Sequence, residues 1–249
     1  MRDKLFLESL SLPEELSAVL DACPSVQVFE TVEELMECSF GAPGADYFEV
    51  QYGLPGGGQV TEMTVARVRN GIAANYPEPY MRRRDPDCMV IADNSPTDKP
   101  RFLDRFGHEF ESLRQETFAW LAQQNLGVFL FRTGQPGMGQ DALAIVPANA
   151  AVFAFGLALL QGILTAEEVS ASFFPSVTIY VAPPFRHTHF EGRQVVVHNR
   201  KPDSHEVFSY NLYPGPSAKK GIYGALIRQG EGEGWVTAHC SAVQVVTPV

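Results

Sequence analysis

The chain has 249 residues, of which 45% are hydrophobic and 19% charged, and its net charge is −10. That is enough apolar material for a sizeable core, in one large or two small domains. The acidic balance argues against general nucleic-acid binding, which needs a basic surface, and makes the clusters Arg82, Arg83, Arg84 and Lys219, Lys220 conspicuous.

The opening "MRDKLFLESLSLPEEL" lacks the apolar centre and cleavage site of a signal peptide. Ser11 with Glu14 three residues on is a capping-box pattern, and Pro13 suits a first turn, so a short helix is expected over "SLPEELSAVLDAC". Thr31 and Glu34 repeat the device in "TVEELMEC". "DYFEVQYGL" and "QVTEMTVARVRNGIAANY" read as strands joined by the "PGGG" turn of residues 55–58. Gly56, Gly57 and Gly58 have no lysine behind them and no following helix, so a hairpin is expected there and not a phosphate cradle. "CMVIAD" reads as a strand, "NSPTDKPRFLDRFG" as a polar loop, and "FESLRQETFAWLAQQN" as an amphipathic helix on Leu113, Phe118 and Leu121. "GVFLFRTG" and "ALAIVP" read as strands around a Gly-rich turn. Pro147 begins an apolar helix to about Gly162, which Gly156, Gln161 and Gly162 interrupt. It is too short to span a bilayer comfortably and reads as a buried core helix. Thr165 and Glu168 form a third capping box, "SVTIYVAPPF" and "RQVVVHNR" are strands, and "WVTAHCSAVQVV" is a long closing strand. Strands interleaved with helices predict an α/β (α+β) fold, a mixed β-sheet flanked by helices, in a single domain over 1–249. Cys23, Cys38, Cys88 and Cys240 are scattered with no C-x-x-C, as expected for reduced thiols of a cytoplasmic protein.

Three stretches carry residues suited to chemistry. "YMRRRDPDCMVI" sends three arginines into a strand, and guanidinium forks match carboxylates and phosphates; the plain alternative is an exposed corner paired with Asp85 and Asp87. "FRHTHFEG" places His187 and His189 two apart, on one side of an extended chain, where they suit a metal. With Glu191 and His198 or His205 they would complete the metal site of a cupin-like barrel; an ordinary hydrogen-bonded loop is the bland reading. "SYNLYPGPSAKKGIYG" sets Lys219 and Lys220 among glycines and small residues, with "HCSA" about twenty residues later; a solvated loop is its bland reading.

This last pattern resembles the phosphoenolpyruvate carboxykinase family, in which a "Y-G-G-E-x-K-K-G" loop precedes an "M-H-C-S-A-N" strand. The resemblance continues upstream in order, roughly from 76 to 245. "RRRDPDCMVI" stands where the family has "G-R-S-P-K-D-K-x-x-V", and "QETFAWL" resembles its "E-T-W-x-x-L" helix start. The strands and apolar helix of 127–160 look like its amino-terminal lobe. The resemblance implies a divergent, bacterial branch of an enzyme that interconverts oxaloacetate and phosphoenolpyruvate, releasing carbon dioxide and using a nucleoside triphosphate. It implies Arg83 and Tyr213 on the substrate carboxylates, Lys219 on the phosphoryl group, and Lys220 with His239 on a manganese or magnesium ion. In an extended segment, Lys219 and Lys220 would point opposite ways and divide this work. A lysine binds metal only when neutral, and burial and a neighbouring cation both favour that form. The tyrosine spacing differs by one residue from the family's, with Tyr210 as a substitute for Tyr213. No G-x-x-x-x-G-K-[ST] occurs before Val249, so the nucleotide (ATP more readily than GTP) and the metal's aspartate are expected on a carboxyl-terminal lobe. On that expectation the chain is a substrate lobe with little activity alone, and from about 235 the first strand of the missing lobe would begin. The partners expected are a small dicarboxylate or phosphoenolpyruvate, with no nucleic acid and no membrane. The competing expectations are the cupin-like metal protein and a non-catalytic binding or regulatory module on the same fold.

Overall fold

The computed structural model describes residues 4–54, 56–76, 88–134, 139–182, 189–211 and 216–236, with side chains left out for 182 and 216–220. In chain order the elements are α1 (Lys4–Glu8), α2 (Glu14–Ala22), β1 (Ser25–Val28), α3 (Val32–Cys38), β2 (Tyr47–Gly53), β3 (Gln59–Val68), β4 (Gly71–Asn75) and β5 (Met89–Ile91). Then follow α4 (Phe102–Phe106), α5 (Phe110–Leu121), β6 (Asn125–Thr133), β7 (Gln140–Pro147), α6 (Val152–Gln161), β8 (Val177–Ala182), β9 (Val195–Arg200), β10 (His205–Tyr210) and α7 (Pro216–Gly232).

A seven-stranded sheet in the order β1-β6-β7-β8-β10-β9-β5 forms the centre, and β2-β3-β4 make a small antiparallel sheet. The large sheet is mixed: β6 is antiparallel to β7 and β10 to β9, while the other neighbours run parallel. Its middle strands are covered on both faces, which is why "VFLF" and "ALAIV" are continuous apolar runs with no polar alternation. One face packs Phe129, Phe131, Ala144, Val146, Ile179 and Val207 against α3, α6, α7 and the small sheet. The other packs Val128, Leu130, Ile145, Tyr180, Val197 and Phe208 against α2, α4 and α5. The expected mixed sheet flanked by helices is therefore observed.

Local signals are met unevenly. Thr31 caps α3, its hydroxyl accepting from the Glu34 N–H at 3.1 Å, but the Glu34 carboxylate reaches back one residue further, accepting from the Glu30 N–H at 2.8 Å. Ser11 does not cap α2; Pro13 holds that position, since its ring fixes φ for the turn and leaves no donor to satisfy. Thr165 forms only half of a capping box, its N–H and hydroxyl both donating to the Glu168 carboxylate, and closes only a turn, because no helix follows. The segment expected as one long strand after the glycine turn breaks at Arg69–Asn70 into β3 and β4. The expected polar loop contains α4, which Phe102 anchors in the core. Pro147 ends β7 and is followed by a single tight turn before α6 starts at Val152. Cys23 and Cys38 are free thiols. No helix among the described residues is long and apolar enough to cross a membrane.

Candidate functional site

The strands meet at one end of the large sheet in a way that gathers loops. β8 and β10 run parallel and finish there, with Tyr210 level with Ala182. β9 starts there, Val195 opposite Tyr210, and β5 starts beside it, the Cys88 carbonyl accepting from the Val196 N–H at 2.8 Å. In sheets of this kind, ligands bind beyond the carboxyl ends of parallel strands.

α7 returns over β10 from this end. Its glycines decide how close it comes. A Cβ on Gly221 would lie 2.6 Å from Val207 Cγ1, and one on Gly224 would lie 3.0 Å from His198 Cε1. Side-chain-free contacts thus bring the helix backbone down onto the sheet, with Ile222 and Ala225 buried beside them. Gly221→Ala is expected to lower folding stability by about 1–3 kcal/mol, read from chemical denaturation, because a packed core resists even one added methyl.

Lys219 and Lys220 lie in the opening turns of α7. This corrects the extended segment expected for them: on a helix, neighbours are turned by about 100° and not placed back to back. The glycines and proline around the pair suggest a loop, but here the glycines serve close packing and Pro216 takes the first helical position. Arg83, His187, Tyr213 and His239 lie outside the described residues, as does the expected closing strand beyond 236. Tyr210 does not stand in for Tyr213. It is fully buried on the α5 face, burial pushes its phenol up, and its hydroxyl is 2.7 Å from Thr117 Oγ1.

The histidines expected to share a metal are separated. His189 Nε2 is 3.1 Å from Glu116 Oε2 of α5, whereas His198 and His205 stand on the opposite, α7 face. The sheet between them is open, not a closed barrel. Among the described residues no group of three histidine, cysteine or carboxylate side chains is placed to hold a metal.

His198 Nδ1 and His205 Nε2 are 2.9 Å apart, so one ring donates to the other. Burial holds both pKa values down, to about 4 for His198 and about 3 for His205, and the charges of Arg200 and, for His205, Arg228 add to the effect. Both rings are neutral near neutral pH. His205 also walls a cleft of about 290 Å³ with Ser176, Arg228 and Gln229.

On the α5 face of the same strand sits a buried ion cluster. Arg114, 1% exposed, donates to both oxygens of Glu206 at 2.9 and 2.7 Å, to Glu15, and to Glu111 at 3.2 Å. Lys201 lies 3.2 Å from Glu15 and 3.3 Å from Glu206, and the Asn199 amide donates to Glu206 at 2.7 Å. The hydrogen bond from Arg114 holds the Glu15 carboxyl down to about 2. At the edge, Arg200 forks onto Asp93 at 2.8 Å; burial raises that carboxyl, but hydrogen bonds from Arg200 and Ser95 prevail and hold it at about 2. These are structural clamps that sequence reading missed. The signal was present: Arg114 occupies the apolar stripe Phe110, Leu113, Thr117, Phe118, Leu121 of α5, a place for a charge only if it is paired.

Comparison with known proteins adds a family and no function. The model of a family described as Domain of unknown function (DUF4914) matches residues 12–249. A comparison with curated proteins finds no match.

Proposed function

We propose that this chain, which belongs to the family described as Domain of unknown function (DUF4914), is the substrate-binding lobe of a phosphoenolpyruvate carboxykinase-like enzyme of the cytoplasm. The reaction would be oxaloacetate plus nucleoside triphosphate to phosphoenolpyruvate, carbon dioxide and nucleoside diphosphate. The observation that supports it is where the chain enters and leaves the fold. Cys88 follows the segment bearing Arg83, Asn211 and Pro216 flank the segment bearing Tyr213, and α7 carries Lys219 and Lys220. The first two junctions adjoin the carboxyl end of β10, and α7 starts over that end.

In this reading Arg83 and Tyr213 orient the substrate carboxylates, and Lys219 neutralises charge on the phosphoryl group as it moves. A manganese or magnesium ion would be held by the Lys220 amine and a His239 ring nitrogen, with an aspartate from a carboxyl-terminal lobe that also carries the nucleotide, ATP in preference to GTP. The donor set fits the position of the pair: the amino-terminal end of a helix is the positive end of its dipole, a setting that favours an uncharged amine over an ammonium. When bound, the ion would polarise phosphoryl and enolate oxygens. Positioning and charge neutralisation are what phosphoryl transfer requires of a protein.

Manganese titration tests this. Lys220→Ala and His239→Ala are each expected to weaken manganese binding by at least about tenfold, a loss of about 1.4 kcal/mol or more, while His187→Ala leaves it unchanged. Loss in His187→Ala with retention in the other two would overturn the proposal.

A further inference from the structure

Three buried polar side chains gather where α7 begins. Gln194, Ser209 and Asn211 are 4%, 3% and 0% exposed. Gln194 Nε2, Ser209 Oγ and Asn211 Oδ1 have no hydrogen-bond partner among the described residues. Buried polar groups are ordinarily hydrogen-bonded, so three at one place mark a spot built to meet polar atoms from outside the fold.

Their positions follow from register. Ser209 faces Val196 across the β9–β10 ladder and Tyr210 faces Val195, so the next pair outward is Asn211 with Gln194. Alternation puts Ser209 and Gln194 on the face of Val207 and Val196, which α7 covers. Gly224 stands against the His198 and His205 rings and Gly221 against Val207. Four helical residues back from Gly221 is about 6 Å, and two strand residues on from Val207 is about 6.6 Å. The first turn of α7 therefore stands over Ser209, with Gln194 and Asn211 one step in front of it. Asn211 is fixed in a left-handed turn, φ 56°, and its Nδ2 donates to the Arg193 carbonyl at 3.0 Å, which assigns the remaining oxygen as an acceptor. The first N–H groups of a helix this long are unpaired within it and attract an anion.

We infer that Gln194, Ser209 and Asn211, together with the first turn of α7, form a subsite for an oxyanion that carries a proton. Gln194 Nε2, the Ser209 hydroxyl and the helix N–H groups donate to its oxygens. Asn211 Oδ1 accepts an O–H from it, which selects a hydrogen-bearing phosphate or acid over an anion without one. That this anion belongs to the substrate rests on the function proposed above; the subsite itself rests on these residues alone.

The test uses inorganic phosphate and sulfate as probes, titrated calorimetrically into the full chain at pH 6. Phosphate is expected to bind about tenfold tighter than sulfate. Gln194→Leu and the small change Ser209→Ala are each expected to weaken phosphate binding by about tenfold, because each removes a hydrogen bond to a charged group. Asn211→Gly, which keeps the left-handed turn, is expected to abolish the preference for phosphate. Equal binding of the two ions, or phosphate affinity unchanged in Ser209→Ala and Gln194→Leu, overturns the subsite. Manganese binding that ignores Lys220→Ala, alongside phosphate binding that responds to Gln194→Leu, would instead sink the enzyme reading and leave the subsite standing.

Discussion

Between pH 7 and pH 5 the protein is expected to lose several kcal/mol of folding stability, and the buried pair His198 and His205 is the reason. Unfolded, both rings take up a proton near pH 6.5; folded, they resist it until about pH 4 and about pH 3. The unfolded chain thus binds more protons throughout this window, and stability falls as pH falls, by about 1.4 kcal/mol per pH unit for each histidine at the limit. This contribution is fully present above pH 6.5, and its loss stops growing only once the folded rings protonate. Glu15 and Asp93 contribute less in this interval, because in the unfolded chain they take up protons mainly around pH 4.5 and 3.8. Unfolding free energy measured against pH, in the natural chain and in His198→Leu/His205→Leu, checks this. The slope between pH 5 and pH 6.5 should flatten in the double variant; an unchanged slope would assign it elsewhere.

Arg114→Leu should lower stability by about 3–5 kcal/mol, more than most single changes. The substitution removes a cation that is 1% exposed and leaves Glu206 charged inside the fold. Lys201 and Asn199 remain on Glu206 but do not replace the bidentate fork. Arg114→Leu/Glu206→Leu should recover a large part of the loss, because an apolar pair in this place needs no counter-charge. Denaturant unfolding of the single and double variants measures both terms. A double variant less stable than the single one would show that the carboxylate serves neighbours other than Arg114.

Much of the fold was legible because apolar runs reveal covered strands. β6, β7, β8 and β9 are such runs, and the α5 stripe has helical spacing. β1, at four residues, is too short to announce itself. β10 and α7 were hidden for opposite reasons. "HEVFSY" reads as polar, yet all six of its residues are buried, because Arg114 matches its glutamate and His198 its histidine. "PSAKKGIYGALIRQGEG" has too many glycines for a helix by propensity, each costing up to about 1 kcal/mol, and tertiary packing overrides that. The proposed site was half legible. The lysine pair and its order in the chain could be read, while Gln194, Ser209 and Asn211 carry no motif, and only strand register brings them together.

The two flat contacts of α7 act as an angular gauge for everything ahead of them. Gly221 on Val207 and Gly224 on the histidine rings fix which side of the helix faces the sheet, and the lysine pair precedes them with no intervening residue. Inserting one residue between Lys220 and Gly221 would rotate the pair by about 100° about the helix axis while leaving the clamp intact. The chain is therefore phase-locked in front of Gly221 as well as at the glycines themselves.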